Sequence, residues 1–298
     1  MTAARSDIEA LERAVQKALA DGDESGLRII GYGEVSTVVE WMSRGKPFAC
    51  KRLTPFRDDG AAVRASEVID LYMAELREHG VDVADTQICR VAGSDGRVVV
   101  YCVQAILPSP SLGPNYLREK TPAEAAAAAQ SILTLLRRSV TPRLAPDGQL
   151  SNWAFVDGRI VYLDVSSPFL RDDEGNELFD FAQQMQALPA PLRFPVSRFV
   201  IKGILDTYHS LRGQALDFLG NLKKERLEHL IPTLLPVANR VLHLDPVIRE
   251  WDVSAYYAAD ARVYAWLQAA RRADRWFHRH VLYRPYGFLL PPRVERNL

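Results

Sequence analysis

The hydrophobic positions divide the chain into a strand-rich first third and a mainly helical remainder. Apolar side chains recur every three or four residues from about Asp7 to Ala20, which predicts an amphipathic helix. Short apolar runs broken by a glycine turn predict two strands within Leu27–Val39 and another from Pro47 to Leu53. Helical periodicity returns from Ala61 to Glu78. A hairpin is predicted for residues 86–106, because two β-branched runs flank a Gly-Ser-Asp-Gly turn.

A proline-rich segment separates this first third from the helices that follow. Pro108–Pro114 holds three prolines, two serines and a glycine, a composition typical of a linker. Thr121-Pro-Ala-Glu124 then forms a capping box with proline at the first helical position, so a helix is predicted to about Arg138. Two short strands are predicted at 153–156 and 159–163. From Glu177 to about His280 the periodicity is helical almost throughout.

This order of elements predicts an α+β fold with two lobes. We expect residues 1–107 to form a small β-rich N-terminal lobe that binds a nucleotide and also carries the first helix. Residues 108–120 are predicted to be the hinge, and 121–298 the larger helical C-terminal lobe, which carries the catalytic loop. A cleft between two lobes is a favoured place for a ligand.

Composition and charge narrow the class of protein. The 298 residues include 37 basic and 37 acidic side chains, so nothing global favours nucleic acid or an anionic membrane as a partner. The basic segment 271–280 contains aromatic residues, and we interpret it as a solvated helix face over a buried Trp276 and Phe277. No apolar signal core or membrane-length stretch is present, and the three cysteines form no framework, so we expect a cytoplasmic protein. The oligomeric state stays open.

Three polar residues around the predicted hairpin carry the clearest chemistry. Asp147 is followed by Asn152 five positions later, and Asp164 ends the apolar run behind them. Magnesium takes hard oxygen ligands and keeps several waters, so one or two carboxylates and an amide are enough to hold it on a polyphosphate. Because Asp147-Gly148 is also a common turn, this spacing gains weight only from the residues upstream.

Two features of the N-terminal third fit the phosphate end of such a site. Gly31 and Gly33 lie between two predicted strands and would let backbone N–H groups approach a phosphate, although taken alone two glycines there favour a plain hairpin turn. Lys51 lies within an apolar strand, where it is either a snorkelling side chain or a positive charge for phosphates. The following helix offers Glu67 or Asp70 as its partner, and we favour Glu67.

Taken in order, these residues resemble the protein-kinase-like superfamily. The shared pattern is Gly31-x-Gly33-x-x-Ser36-x-Val38, Ala49-x-Lys51, a helix carboxylate, a linker, Asp147-x-x-x-x-Asn152 and Asp164. Gly80-Val-Asp-Val83 and the lack of an Ala-Pro-Glu activation segment are more similar to the aminoglycoside phosphotransferase and choline kinase branch. The resemblance covers about residues 27–170 and extends to bacterial members with no assigned substrate.

The resemblance implies a function and a role for each matching position. It implies an ATP-dependent phosphotransferase that uses Mg²⁺ and transfers the γ-phosphate to a hydroxyl of a small molecule. Asp147 would orient or deprotonate the acceptor, with Lys51 on the phosphates and Glu67 as its partner. Asn152 and Asp164 would bind the metal. The remaining nucleotide contacts would come from the glycine turn, two apolar positions and the hinge, namely Gly31, Gly33, Ser36, Val38, Ala49, Gln104 and Leu107.

Two departures from the pattern keep other functions open. Ala145 stands two residues before Asp147, where the superfamily usually has a histidine that fixes the loop. Val165-Ser166 follows Asp164 in place of the usual residues. A pseudokinase-type protein that binds nucleotide for regulation, or an enzyme that transfers AMP on the same fold, would also fit the pattern.

Overall fold

A computed structural model describes residues 2–33, 36–94, 96–190, 192–194 and 201–291. The N-terminal part is built on one antiparallel sheet, and the C-terminal part is mainly helical. The predicted α+β fold class, with a small β-rich N-terminal part and a larger helical C-terminal part, is therefore confirmed.

The N-terminal sheet has five strands, namely β1 (Ile29–Tyr32), β2 (Thr37–Ser43), β3 (Lys46–Arg52), β5 (Thr86–Ala92) and β6 (Val98–Ala105). Their order across the sheet is β1-β2-β3-β6-β5. The register places Lys51 of β3 opposite Val38 of β2 and Cys102 of β6, so this lysine lies in the middle of the sheet.

Helix α1 (Arg5–Asp21) covers the outer face of this sheet. Its apolar stripe packs on strand residues that include Val39, Cys50 and Val99, all fully buried. Glu12 of α1 is itself only 1% exposed and accepts two hydrogen bonds from the Arg52 guanidinium, each 2.8 Å long. The Tyr101 hydroxyl donates a third, so the buried carboxylate is fully paired.

Helix α2 (Asp59–Glu78) lies on the inner face, between the sheet and the helical part. Asp58 caps its first turn by accepting the backbone N–H of Ala61. The buried side of α2 belongs to one apolar cluster that continues through α4 (Pro122–Ser139) to the C-terminal helices. A shared core of this kind joins the two parts of the chain below the cleft.

The segment predicted as a linker has secondary structure of its own. A short 3-10 turn at Ser109–Ser111 leads into helix α3 (Gly113–Arg118). A β-carbon on Gly113 would come within 2.2 Å of the Leu150 carbonyl oxygen, so only glycine permits this close approach. Helix α4 then begins at the predicted capping box, where Thr121 and Glu124 bond each other's backbone.

Two small sheets surround the loop that carries Asp147. Strand β8 (Trp153–Val156) pairs with β9 (Arg159–Tyr162), and β4 (Asp82–Val83) joins β9 in parallel. Strand β7 (Leu144–Ala145) pairs with β10 (Phe169–Leu170). Asp147 and Asp164 therefore lie just outside the ends of paired strands, which hold the backbone near each of them.

Helices α5 to α9 follow α4 in the C-terminal part. They span α5 (Phe181–Gln184), α6 (Ile201–Tyr208), α7 (Leu211–Lys224), α8 (Ile231–Val241) and α9 (Glu250–His280). Helix α7 is buried on most of its surface and packs against α8 and α9. It therefore forms the centre of this helical layer.

The end of α9 and the residues behind it reach the N-terminal part. Arg275 pairs with Glu24 at 3.4 Å, and Leu289 packs with α1 in the cluster on the outer face of the sheet. The interpretation of segment 271–280 was wrong in detail, since Trp276 and Phe277 are 58% and 45% exposed and Arg271 is only 1% exposed. None of the described helices is long and apolar enough to cross a bilayer.

Candidate functional site

Lys51 and Asp164 form an ion pair at the junction of the two parts. The Lys51 Nζ lies 2.8 Å from Asp164 Oδ1, and the two side chains are 20% and 16% exposed. Ser166 donates to the same oxygen from its backbone N–H and its hydroxyl, at 3.1 and 2.8 Å. Burial opposes ionisation of Asp164, but Lys51 and Ser166 outweigh it and lower the pKa of this carboxyl. Asp164 is therefore a carboxylate at neutral pH.

Lys51 pairs with Asp164 instead of with the predicted Glu67. Glu67 is exposed on α2 and makes no hydrogen bond or ion pair to Lys51 in the described structure, so the expected Glu67–Lys51 pair is not formed. Asp70, the other carboxylate that α2 offers, is also exposed and forms no ion pair with Lys51 in the described structure. Lys51 is thus held from the Asp164 side of the cleft.

Asp147 lies 8% exposed in the loop between β7 and β8. Its Oδ1 accepts the backbone N–H of Gln149 at 3.0 Å, and its own backbone N–H donates to the Tyr162 hydroxyl at 2.9 Å. Burial raises the pKa of this carboxyl to about 6, with the charge of Asp164 adding to the effect. Asp147 can therefore change its charge close to neutral pH.

Two buried tyrosines fix the backbone around Asp147. The Tyr72 hydroxyl, from α2, donates to the Ala145 carbonyl at 2.9 Å and lies 3.4 Å from the Tyr162 hydroxyl. Tyr162 in turn accepts the Asp147 N–H, and neither ring has any exposed surface. These contacts hold the loop at the position where the sequence lacks a supporting histidine.

Helix α7 supports the same loop from the opposite side. The Gln214 amide donates to the Pro146 carbonyl at 2.6 Å, and Asn221 accepts the backbone N–H of Ser151 at 3.2 Å. Asp217 lies between them on the same helical face and contacts the Asp147 carboxyl. Sequence reasoning missed this set, although three buried polar residues at helical spacing within an apolar helix are a readable signal.

The glycine turn forms the upper wall of the site. Strands β1 and β2 pair from Ile29 to Tyr32, and the Gly33 N–H donates to the Ser36 carbonyl at 2.9 Å. A β-carbon on Gly33 would come within 2.5 Å of the Ser36 hydroxyl, whereas one on Gly31 would make ordinary contacts with Val38. Rotation of the Ser36 side chain would relieve the contact at position 33, so packing requires glycine at neither position.

A cavity of about 640 Å³ lies between this turn and the helical part. Eight of the predicted site residues line it: Gly31, Gly33, Ser36, Val38, Lys51, Asp147, Asn152 and Asp164. Its volume falls within the range of sites for small molecules and cofactors, about 300–1,000 Å³. The structure therefore brings the predicted phosphate, metal and acceptor residues to one space.

Four predicted residues are not among those that line the cavity. Besides Glu67, these are Ala49, Gln104 and Leu107, which were predicted to contact the adenine or form the hinge. Ala49 and Gln104 face each other in the ladder between β3 and β6. The Gln104 amide donates to the Leu163 carbonyl at 2.8 Å, so this side chain ties the sheet to the strand that precedes Asp164.

The oxygen donors of Asn152 and Asp164 suit a metal ion that keeps part of its hydration shell. Asn152 and Asp164 offer one amide and one carboxylate oxygen group toward the cavity. Within the described residues, no three His, Cys, Asp or Glu side chains come together as a metal cage. Two hard oxygen donors that leave room for waters and phosphate oxygens are the ligand set that Mg²⁺ accepts beside a nucleotide.

The end of the cavity beyond Asp147 is polar and aromatic. Its lining comes from α7, from the residue that follows α7 and from α9, and includes Asp217, Asn221, Lys224, Glu225, Tyr256, Tyr257, Asp260 and Tyr264. The Tyr256 hydroxyl donates to Asp217 at 3.1 Å. This end has room and hydrogen-bonding groups for a second molecule next to Asp147.

Comparison with known proteins gives a family but no activity. Residues 10–275 match the sequence model of a family described as "Family of unknown function (DUF6206)". None of the curated proteins matches the sequence. Among solved structures, the crystal structure of the Mycobacterium tuberculosis PknI kinase domain is 17% identical and matches with a TM-score of 0.35. That alignment covers 73% of this chain and 87% of the PknI domain.

Proposed function

The chain belongs to the DUF6206 family of unknown function, and from its site we propose an ATP-dependent phosphotransferase. It would transfer the γ-phosphate to a hydroxyl of a small molecule. The observation that carries the proposal is the Lys51–Asp164 ion pair, which shares one cavity with Asp147, Asn152 and the glycine turn. The same residue types, in the same chain order, perform phosphoryl transfer in kinase-like enzymes.

At the nucleotide end, each lining residue has a distinct task. Gly33 and Gly31 would bring backbone N–H groups against phosphate oxygens. The Lys51 ammonium would neutralise part of their charge, and its ion pair with Asp164 already fixes its direction. Asn152 and Asp164 would hold Mg²⁺, which when bound neutralises charge on the phosphate oxygens. Val38 lines the cavity above Lys51 and would pack on the adenine.

At the acceptor end, Asp147 would orient the hydroxyl and take its proton. A pKa of about 6 leaves most of this carboxyl ionised at neutral pH, yet makes it a better base than an exposed aspartate. Its orientation is set by the Gln149 N–H and by the α7 helix before any substrate arrives. Catalysis would then consist of positioning and charge neutralisation, with no covalent intermediate on the protein.

The branch of small-molecule kinases fits better than that of protein kinases. Only the segment from Val165 to Asp180 separates Asp164 from α5, and it contains the short strand β10. Arg171 in this segment bonds Glu177 and Asp206, so the segment is packed against the helical part. We propose an acceptor that enters between α7 and α9, in the manner of the aminoglycoside phosphotransferase and choline kinase branch.

The test is a substrate screen with product analysis. The purified protein is incubated with ATP·Mg²⁺ and a panel of amino alcohols, sugars and nucleosides, and products are read by mass spectrometry. A product heavier by one phosphoryl group, lost in Asp147→Asn, is expected. An adenylyl group on the product would establish the AMP-transferring alternative instead. Tight ATP binding with no product from any acceptor would favour a regulatory nucleotide-binding protein of the pseudokinase type.

A further inference from the structure

Asp217 places a second carboxyl directly against Asp147. It projects from the middle of α7, is 8% exposed like Asp147 itself, and lines the same cavity. The two carboxyl groups are in hydrogen-bonding contact. No motif in the sequence assigns Asp217 a role, and it plays no part in the nucleotide chemistry proposed above.

The hydrogen-bond partners of this pair leave one oxygen without a donor. Asp217 Oδ1 accepts the Tyr256 hydroxyl at 3.1 Å, and Asp147 Oδ1 accepts the Gln149 N–H at 3.0 Å. Asp217 Oδ2 is buried, and within the described part of the chain no N–H or O–H group donates to it. An ionised carboxylate can only accept hydrogen bonds, so two ionised groups would face each other unpaired and repel. A single proton shared by the two carboxyl groups removes the repulsion between them and supplies the missing hydrogen-bond donor.

The surroundings place that proton on Asp217. Asp147 has a backbone donor and the Lys224 ammonium nearby, both of which favour its charged form. Asp217 faces Asp147 and Asp260, two further carboxyls that disfavour a charge on it. Burial is the largest effect on both groups and raises the pKa of Asp217 well above its usual range. The other titratable groups that face the pair are Asp164, Tyr72, Tyr162 and Tyr256.

We propose that Asp217 is a positioning residue that holds a proton and donates it in a hydrogen bond to the Asp147 carboxylate. This bond would fix the Asp147 side chain from the α7 side, while Tyr72 and Tyr162 fix its backbone. Its catalytic consequence rests on the proposed phosphotransferase function. The shared proton itself does not, because it follows from the burial and geometry of two side chains.

Two substitutions separate the proton from the shape of the side chain. Asp217→Asn keeps the size and supplies an amide N–H donor that cannot ionise. Asp217→Leu keeps a similar volume and supplies no donor. Asp260→Asn is the matched control, because Asp260 is another carboxyl of the same cavity.

The first measurement is infrared spectroscopy of the wild-type protein and the variants at pH 7. A carbonyl band of a protonated carboxyl is expected in the wild type and in Asp260→Asn, and it should be lost in Asp217→Asn. Absence of that band from the wild type, or its survival in Asp217→Asn, would overturn the proposal. This readout needs no substrate, so it stays decisive even if no phosphoryl transfer is found.

The second measurement is stability against pH. The folded-state pKa of Asp217 is raised, so its contribution is complete below its unfolded pKa of about 3.9 and is lost as pH rises through the folded value. The melting temperature of the wild type should therefore fall relative to Asp217→Asn as pH rises above about 4. Parallel pH profiles for the two proteins would contradict a proton held on Asp217.

If the phosphotransferase activity is established, kinetics test the positioning role. Asp217→Asn should retain kcat within about threefold, and Asp217→Leu should lose about 10–100-fold in kcat with little change in KM for ATP. Equal activity of the two variants would show that the hydrogen bond to Asp147 has no catalytic role. Should Asp217→Leu fail to fold, the Asp217→Asn spectrum and pH profile still decide the question.

Discussion

Lys51 and Asp164 are 113 residues apart in the chain, yet Lys51 Nζ and Asp164 Oδ1 lie 2.8 Å from each other. One residue belongs to the third strand of the N-terminal sheet and the other follows strand β9 of the hairpin beside the helical part. The pair therefore joins the two sides of the cavity and orients a positive and a negative charge toward its interior.

Replacement of Lys51 by methionine should weaken both stability and nucleotide binding. Asp164 would keep its burial and lose its cation, so its pKa should rise, and the phosphates of the nucleotide would lose their positively charged partner. Because both side chains are partly exposed, we expect a loss of about 1–3 kcal/mol in unfolding free energy, less than for a fully buried pair. Urea denaturation and calorimetric titration with ATP·Mg²⁺ measure the two effects.

The matched control for that experiment is Lys46→Met. Lys46 lies on the same strand but is exposed and outside the cavity lining. Its loss should leave ATP·Mg²⁺ affinity unchanged. Equal effects of the two substitutions would mean that Lys51 acts through general charge and not through Asp164.

Replacement of Tyr162 by phenylalanine should loosen the loop that carries Asp147. The change removes the oxygen that accepts the Asp147 N–H and leaves that buried donor unpaired. A buried unsatisfied group of this kind costs about 1–3 kcal/mol. Thermal denaturation measures the loss. Tyr116→Phe is the control, because Tyr116 stacks on Phe155 and its ring is retained in the variant. A Tyr162→Phe protein as stable as this control would show that the hydroxyl does not hold the loop.

Replacement of Glu12 by alanine should be among the most damaging single changes outside the cavity. It would leave the Arg52 guanidinium, 8% exposed, without its carboxylate under helix α1. Breaking a buried ion pair from one side costs about 3–5 kcal/mol. Glu9→Ala, on the same helix, removes an exposed ion pair with Arg5 and should cost under about 1 kcal/mol. Similar midpoints for the two variants in urea would contradict the buried role of Glu12.

The elements of the fold follow largely from local signals in the sequence. The capping box at Thr121 and Glu124 starts α4, and the hairpin of β8 and β9 lies where two short apolar runs around the Asp157-Gly158 turn predict it. These features depend on neighbouring residues alone, so a single sequence contains them. The residues of the phosphate and metal end were readable for a related reason, since their types and order match a known pattern.

The partners of those residues were less predictable, because they depend on how distant segments pack. The helix carboxylate expected for Lys51 was Glu67, but the orientation of α2 turns Glu67 to solvent. Trp276 and Phe277 were expected to be buried, yet the buried side of α9 is instead marked by residues such as Gln268 and Arg271. Periodicity shows that a helix has two faces and does not show which of them another element covers.

If the protein has phosphotransferase activity, the fall in its rate at low pH should reflect protonation of the Asp147 carboxylate. Its carboxyl must be ionised to accept a proton, and its folded-state pKa is raised to about 6. The value of kcat/KM should therefore be constant above about pH 7 and fall about tenfold per pH unit well below pH 6. Steady-state kinetics from pH 5 to 8 check this. A rate that stays level down to about pH 4.5 would exclude Asp147 as the proton acceptor.

The most direct test of the account is thermal unfolding with and without ATP·Mg²⁺, for the wild type and for Asp164→Ala. A ligand present at about 100 times its Kd adds about 2.7 kcal/mol to the unfolding free energy. Circular dichroism first confirms that the variant is folded. We expect a clear rise in melting temperature for the wild type at millimolar ATP·Mg²⁺ and little or none for Asp164→Ala. No rise in the wild type, or an equal rise in both proteins, would contradict a nucleotide site built on Lys51, Asn152 and Asp164.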